Sequence, residues 1–409
     1  MIEALPPNLE AKMHKFGRID LIVGIASYNN ADSITHVILK VAEGLSKFFS
    51  DRKTLIIVSD GGSTDGTQEI VSSLRLHEGI KKIVALYKGI SGKGSAVRLV
   101  LEAAQILNAN GVALVDSDLR SIMPEWIELL LKPLEERVDL VAPLYNRYKY
   151  DGTITNQIVF PFTRAIYGMC VRQPIGGEFG MSKTLIEHLL SSPLWANPYT
   201  PRFGIDVFIT HTALAFKLPV VEALLGAKVH SAKDPTKHLA PMFRQVVGSM
   251  FDAMALYEPT WRDIRGSRSI PLIKGHLKIQ TPEPFTVDTQ APVKTFKEEF
   301  IRYSSLLKSS LPSNVYDRLL VESKRPEMNL SISADIWAKT AYIFAAAFKK
   351  ERQQDKRDLL LDTLRLCWNG RLGTFIQETL DMNSEQAEKK ILQDAKVFEE
   401  LEPYLLSIY

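Results

Sequence analysis

Two rhythms of apolar and polar positions alternate along the first 120 residues. Residues 20–26 form a short, nearly continuous apolar run rich in branched side chains, stopping at Ser27-Tyr28-Asn29-Asn30. A run of that length bounded by polar residues predicts a buried strand leading into a loop. Ile34, Val37, Ile38, Val41, Leu45 and Phe48 then recur every three or four positions. That spacing is one face of a helix, with Asn30 or Asp32 available as its cap. A second strand is predicted at 55–58, followed by Ser59-Asp60-Gly61-Gly62-Ser63-Thr64-Asp65-Gly66-Thr67 and a helical period at Ile70, Val71 and Leu74. Residues 83–87 give a third strand, 95–107 a third helix, and 112–115 a fourth strand ending in Asp116-Ser117-Asp118. Strands alternating with helices predict an α/β fold with a largely parallel sheet covered on both faces, whose ligands sit beyond the carboxyl ends of the strands.

From 140 to about 225 the pattern is less regular. Turn signals fall at Tyr150-Asp151-Gly152, Gly176-Gly177 and Asn197-Pro198, and helical periods at 160–169 and 207–216, a half expected to build the second side of a cleft. Residues 259–292 are rich in Pro, Arg, Gly and Thr and read as an extended connector. Beyond 293 strand signals vanish. Stripes at Ile336, Thr340, Ile343, Phe344 and Ala347, and at Leu360, Leu364, Cys367 and Trp368, predict a helical C-terminal region whose apolar faces form core or a homodimer interface.

Composition narrows the class. The 409 residues carry 50 Lys+Arg against 47 Asp+Glu, a formal charge of +3, too small to draw nucleic acid by bulk electrostatics. Any anionic ligand must be met by local groups. Two cysteines almost two hundred residues apart give neither a disulfide framework nor a CxxC metal pair and point to a reducing compartment. The first residues lack the layout of a signal peptide, and no apolar run approaches membrane-spanning length, so a cytoplasmic protein with no membrane partner is expected.

Four clusters are candidates for chemistry. Asp116 and Asp118, two apart after a strand, can project to one side and form an oxygen half-site for Mg²⁺ or Mn²⁺, or else a solvated loop. Gly92-Lys93-Gly94 precedes a helix and either holds a phosphate or is a simple turn; the spacing of a P-loop is absent. The segment from Ser59 to Thr67 is a strand-to-helix turn or a nucleobase and ribose contact. Glu178 and Asp206 lie beside glycines in apolar surroundings, as buried acceptors or catalytic groups, and His230 is structural or functional.

Taken in order, Ser27-Tyr28-Asn29-Asn30, the Ser59–Thr67 segment, Gly92-Lys93-Gly94 and Val115-Asp116-Ser117-Asp118-Leu119 resemble the nucleotide-sugar half of a GT-A glycosyltransferase. Gln173-Pro174-Ile175-Gly176-Gly177-Glu178, Gly204-Ile205-Asp206 and Lys228-Val229-His230 are similar, more narrowly, to the mannosylglycerate synthase and glucosyl-3-phosphoglycerate synthase group. The resemblance implies a GT-A catalytic domain at 1–258, with a nucleotide-sugar half at 1–120 and an acceptor half at 121–258, ahead of the connector 259–292 and the helical region 293–409. It implies Asp118 and His230 as ligands of Mg²⁺ or Mn²⁺, with Asp116 supporting the metal and ribose. Ser27, Asn29, Ser59, Asp60 and Lys93 would line the donor pocket. Glu178 and Asp206 would face the donor sugar and the acceptor hydroxyl, and Arg147, Thr155 and Gly177 would hold the acceptor. Thr153 stands where the phosphoglycerate enzymes tend to have Arg, which leaves unphosphorylated glycerate open.

The function implied is a metal-dependent, retaining transfer of glucose or mannose from UDP-glucose, GDP-glucose or GDP-mannose to a small hydroxy acid such as D-glycerate or 3-phosphoglycerate. Front-face attack and a covalent carboxylate intermediate both give retention. Competing readings are a polysaccharide or lipid-phosphate acceptor, nucleotidyl transfer onto a sugar phosphate, and a non-catalytic scaffold. Nucleotidyl transfer calls for a glycine-rich basic loop after the first strand, which Ser27-Tyr28-Asn29-Asn30 is not.

Overall fold

A computed structural model describes residues 3–77, 79–229, 235–275, 282, 284 and 287–409. Among them are ten strands: β1 (Leu21–Ser27), β2 (Thr54–Asp60), β3 (Lys81–Leu86), β4 (Gly111–Asp116), β5 (Leu140–Asn146), β6 (Met169–Cys170), β7 (Phe179–Ser182), β8 (Val220–Ala227), β9 (Arg268–Ser269) and β10 (Leu272–Lys274). The chain divides into two compact units that interleave in sequence. The first comprises Met1–Asn146, Arg172–Asp234 and Ile270–Pro282, and the second Arg147–Val171, Pro235–Ser269 and Glu283–Tyr409.

The first unit is built on an eight-stranded sheet in the order β10-β8-β5-β7-β4-β1-β2-β3. Every pairing is parallel except those of β7, which runs antiparallel to both β4 and β5. Parallel strands need both faces covered, which is why β1 and β2 read as unbroken apolar runs. On one face Leu21, Val23 and Ile25 pack against Val37, Val41 and Leu45 of the helix Ile34–Phe48 and against Trp126 and Ile127 of the helix Pro124–Leu131. The register pairs Ala26 with both Ser59 and Asp116, so β1, β2 and β4 end nearly level at one edge.

The α/β sheet and the helical region after residue 290 agree with the sequence pattern, with shifted ends. The third strand is Lys81–Leu86 and the third helix begins at Lys93. Neither Asn30 nor Asp32 caps the helix Ile34–Phe48: Ser33 occupies the capping position, and its hydroxyl donates to Ser117 O (2.9 Å). The stretch read as irregular holds β5, β7 and β8. Residues 259–292, read as a connector, contain a one-turn helix (Glu258–Trp261), β9, β10 and the start of the helix Ala291–Ser310.

The second unit is helical apart from the short β6–β9 ladder. Its core holds a buried ion network in which Arg371 pairs with Asp394 and Glu378, and Lys390 closes the ring at 2.6 and 3.3 Å. Among the described residues no helix is long and apolar enough to cross a membrane.

Candidate active site

The loops after β1 and β2 are tied to each other. Asn29 adopts a left-handed conformation (φ +53°); its N–H donates to Ser63 Oγ (2.8 Å) and its Oδ1 accepts from Thr64 N (2.9 Å). Asn30 Oδ1 accepts from Tyr28 N and from Ser117 Oγ (2.8 Å), which links this loop to the turn after β4. Asp60 is fully buried and accepts from Gly62 N, Ser63 N, Ser63 Oγ and Gln68 Nε2 at 2.6–2.9 Å, so its carboxylate is occupied in shaping its own turn. Among the described residues the buried Ser27 and Ser59 hydroxyls find no hydrogen-bond partner, and Ser59 has no exposed surface.

At the carboxyl end of β4 two lysines and three carboxylates meet. Lys93 Nζ lies 2.8 Å from Asp116 Oδ1 and 3.3 Å from Asp206. Lys228 Nζ lies 2.9 Å from Asp116 Oδ2 and 2.8 Å from Glu178 Oε2, and also donates to Gly176 O (3.0 Å). Tyr145 donates its hydroxyl to Glu178 Oε2 (2.5 Å). Glu178 reaches this place because β7 begins at Phe179 and runs antiparallel to β4, pairing Phe179 with Leu114. An antiparallel strand brings its N-terminal end to the edge where parallel strands finish, so Gly176-Gly177-Glu178 arrives beside Asp116.

These surroundings shift the charges. Burial, opposed by Lys228 and reinforced by Asp116, pushes Glu178 up to about 7. Burial would raise Asp116 as well, but Lys228 and Lys93 hold it well below the usual carboxylate range. Burial raises Asp206 despite Lys93. Lys93 would be lowered by burial, yet Asp116, Asp206 and Glu178 hold it above its ordinary value. Opposed shifts within one buried cluster make it a candidate functional site.

The anion reading of Gly92-Lys93-Gly94 needs one correction. The first amides of the helix Lys93–Ile106 are taken, Gly94 N donating to Arg202 O (3.1 Å) and Ser95 N to Pro201 O (2.9 Å). Of the features that suggested an anion site here, the amides of Gly94 and Ser95 are already engaged and the Lys93 side chain is what is left.

Asp118 is half-buried in the turn that follows β4. Arg120 N donates to Val229 O (2.8 Å), and Val229 N donates to Ser121 Oγ (2.9 Å), pinning the end of β8's extension to that turn. His230 lies outside the described residues, and among those described no group of three or more His, Cys, Asp or Glu gathers as a metal site. Asp116, considered a metal ligand from the sequence, has both oxygens paired with lysines.

Arg147 and Thr155 belong to the second unit. A Cβ added to Gly152 would lie 3.6 Å from Arg147 and 3.7 Å from Thr155 Oγ1, so both flank the Gly152 turn. Arg147 pairs with Asp151 (2.9 Å), and buried Thr155 opens a π-turn, Thr155–Val159, a distortion often found at functional sites. Lys149 donates to the carbonyls of Thr379, Leu380 and Met382 at 2.7–2.9 Å, at the end of the helix Gln354–Glu378. Sequence reasoning gave no role to Tyr145 or Lys228. The only signal for Lys228 was its place two residues before His230.

Residues 22–183 match the family model described as Glycosyl transferase family 2, a segment spanning the β1, β2 and β4 loops and Glu178. The chain resembles GT-A glycosyltransferases, and among them glucosyl-3-phosphoglycerate synthase. The enzyme of that name from Mycolicibacterium smegmatis is 27% identical over 217 residues, 48% of this chain. The match spans 66% of that relative's length, just under two thirds. The Mycobacterium tuberculosis enzyme is 25% identical over 266 residues, 59% of this chain and 75% of its own. A crystal structure of the latter in complex with Mn²⁺, UDP-glucose and phosphoglyceric acid is similar at 25% identity and a TM-score of 0.44, covering 62% of this chain and 85% of that one.

Proposed function

We propose that this chain is a divalent-metal-dependent, retaining hexosyltransferase that moves glucose or mannose from a nucleoside diphosphate to the hydroxyl of a small hydroxy acid. The observation that carries the reading is the buried cluster of Lys93, Asp116, Glu178 and Asp206 at the carboxyl edge of the sheet, within or beside the family-matched segment. Asp118 and His230 would hold Mg²⁺ or Mn²⁺. The carboxylate suits either ion and the imidazole favours Mn²⁺ over Mg²⁺, and the Arg120–Val229 hydrogen bond keeps His230's chain neighbour against the Asp118 turn. The ion when bound supplies Lewis-acid stabilisation of negative charge on phosphate oxygens.

The chain's own residues supply the rest. Lys93 exchanges its carboxylate partners for the diphosphate, whose charge grows as the sugar leaves, and a cation fixed in a buried site stabilises that growth more than water does. Asp206 orients the sugar and the acceptor hydroxyl, and Glu178, which has no exposed surface, acts through the groups it holds beside it. In front-face transfer the acceptor oxygen bonds to the anomeric carbon, the bond from that carbon to the phosphate oxygen breaks, and the departing phosphate takes the acceptor proton. Glu178 has no exposed surface, which favours this route over its acting as a nucleophile.

For the acceptor we propose an unphosphorylated acid such as glycerate. Position 153 is Thr and not a cation, Lys149 is committed to helix carbonyls, and Arg147 already faces Asp151. A dianionic phosphate needs matching cations where water is excluded. The names of the relatives favour a second reading, 3-phosphoglycerate. The test is a grid of UDP-glucose, GDP-glucose and GDP-mannose against glycerate, 3-phosphoglycerate and lactate, with Mn²⁺, Mg²⁺ or chelator. Transfer to glycerate at least as efficient as to 3-phosphoglycerate supports the first acceptor; the reverse supports the second. No transfer in any combination overturns the function.

A further inference from the structure

Lys93 and Lys228 both contact Asp116, but their surroundings differ. An ammonium has three N–H groups. Lys228 Nζ has four acceptor atoms within 3.1 Å, namely Asp116 Oδ2, Gly176 O and both oxygens of Glu178, so its donors are spent inside the protein. Its side chain is 8% exposed. Lys93 Nζ has two carboxylate partners, Asp116 at 2.8 Å and Asp206 at 3.3 Å, and its side chain is 14% exposed, so it is the one suited to changing partners. Tyr145 completes the hold on Glu178 from β5, with its hydroxyl at 2.5 Å and its ring centroid 5.5 Å from Lys228 Nζ. Tyr145 is itself fixed: Gln173 donates to its carbonyl (2.8 Å) and accepts from its N–H (3.3 Å), and its ring packs against Trp126. The β5–β8 register shifts between Leu144 and Tyr145, where Leu224 and then Gly226 are the partners. Such a bulge re-aims the end of a strand next to a site.

We infer that Lys228 and Tyr145 are positioning residues for sugar transfer, fastening the Glu178 and Asp116 carboxylates in one fixed arrangement without touching substrate; this rests on the glycosyltransferase reading above. Lys228 bridges both carboxylates and the Tyr145 hydroxyl binds Glu178, so their spacing is fixed from the protein side. Loss of the clamp leaves donor binding, which belongs to Lys93 and the loops, and removes alignment, which enters the transition state.

The test compares wild type, Lys228→Met and Tyr145→Phe for transfer kinetics, and for UDP and GDP binding by calorimetry with Mn²⁺. The expected result is a kcat lowered on the order of 100-fold for Lys228→Met and 10-fold for Tyr145→Phe, with diphosphate affinity within about threefold of wild type. Unchanged kcat in both, or diphosphate affinity falling as far as kcat, overturns the inference. Should Lys228→Met fail to fold, Tyr145→Phe, which keeps the ring, decides alone. A double-mutant cycle of Tyr145→Phe and Glu178→Gln on denaturant unfolding reads the clamp without turnover: coupled effects support it and additive ones refute it. If wild type transfers nothing, the function fails, and this cycle still decides the clamp.

Discussion

Gly177 sits at φ +98°, and a Cβ there would come 2.7 Å from Asp116 Oδ2 and 2.9 Å from Lys228 Nζ. An L side chain is strained at that φ and has no room, so glycine is required on two counts. Gly177→Ala is expected to displace the Glu178 loop and lower kcat on the order of 100-fold while the protein still melts cooperatively; activity within twofold of wild type would show that the loop absorbs the methyl. Asp118→Ala and His230→Ala should each remove most turnover, with partial recovery at raised Mn²⁺, because Mn²⁺ accepts mixed nitrogen and oxygen ligands. Full activity of either in chelator contradicts the metal assignment. Asp60 shows where residue-level reading stopped. A Gly-Asp-rich turn is compatible with ligand contact or with self-contact, and the four hydrogen bonds onto its carboxylate, unreadable in the local pattern, show the self-contact.

Between elements, the helix Lys93–Ile106 comes very close to the Thr200–Arg202 loop. A Cβ on Gly94 would stand 2.0 Å from Thr200 O. Gly94→Ala must push the loop or the helix aside, with a cost of about 2–3 kcal/mol, read as a lower melting temperature and weaker diphosphate binding through Lys93 next door. An unshifted melting curve would mean the loop yields freely. The sheet's ordinary strands were legible because burial on both faces leaves an apolar run. β7, Phe-Gly-Met-Ser, was not: it is four residues long and includes a glycine. Its antiparallel direction, which carries Glu178 to Asp116, is written in the pairing and not in the local pattern.

For the molecule as a whole, the cluster ties stability to pH. Glu178 is raised from 4.5 to about 7, so the folded protein binds a proton that the unfolded chain has already released. Its contribution to stability therefore falls as pH rises from about 4.5 to about 7 and is level above, a total of roughly 3 kcal/mol. Asp206, also raised, acts in the same direction, whereas the depressed Asp116 contributes stability above its ordinary value of 3.8 that is lost on further acidification. In metal-free protein, Glu178→Gln should remove the Glu178 share, so that wild type loses ground against the variant between pH 5 and pH 7 in denaturant titrations. A difference that stays flat across that window would place Glu178 at its ordinary acidity.

The sequence by itself determined the βα alternation, the helical character of the C-terminal third, and which polar residues stand at strand ends, because burial imposes periodicity and strands must end in polar loops. It also placed Lys93, Asp116, Glu178 and Asp206 among the candidates, through their neighbouring glycines and their positions after apolar runs. Tertiary structure alone decided that these four meet, that Lys228 and Tyr145 hold two of them, that Asp60 serves its own turn, and that residues 147–171 pack with the helices near the C-terminus. The reason is physical. Periodicity records how one element faces its solvent or core, whereas strand order, strand direction and the length of an ion pair depend on elements distant in sequence, which leave no local trace.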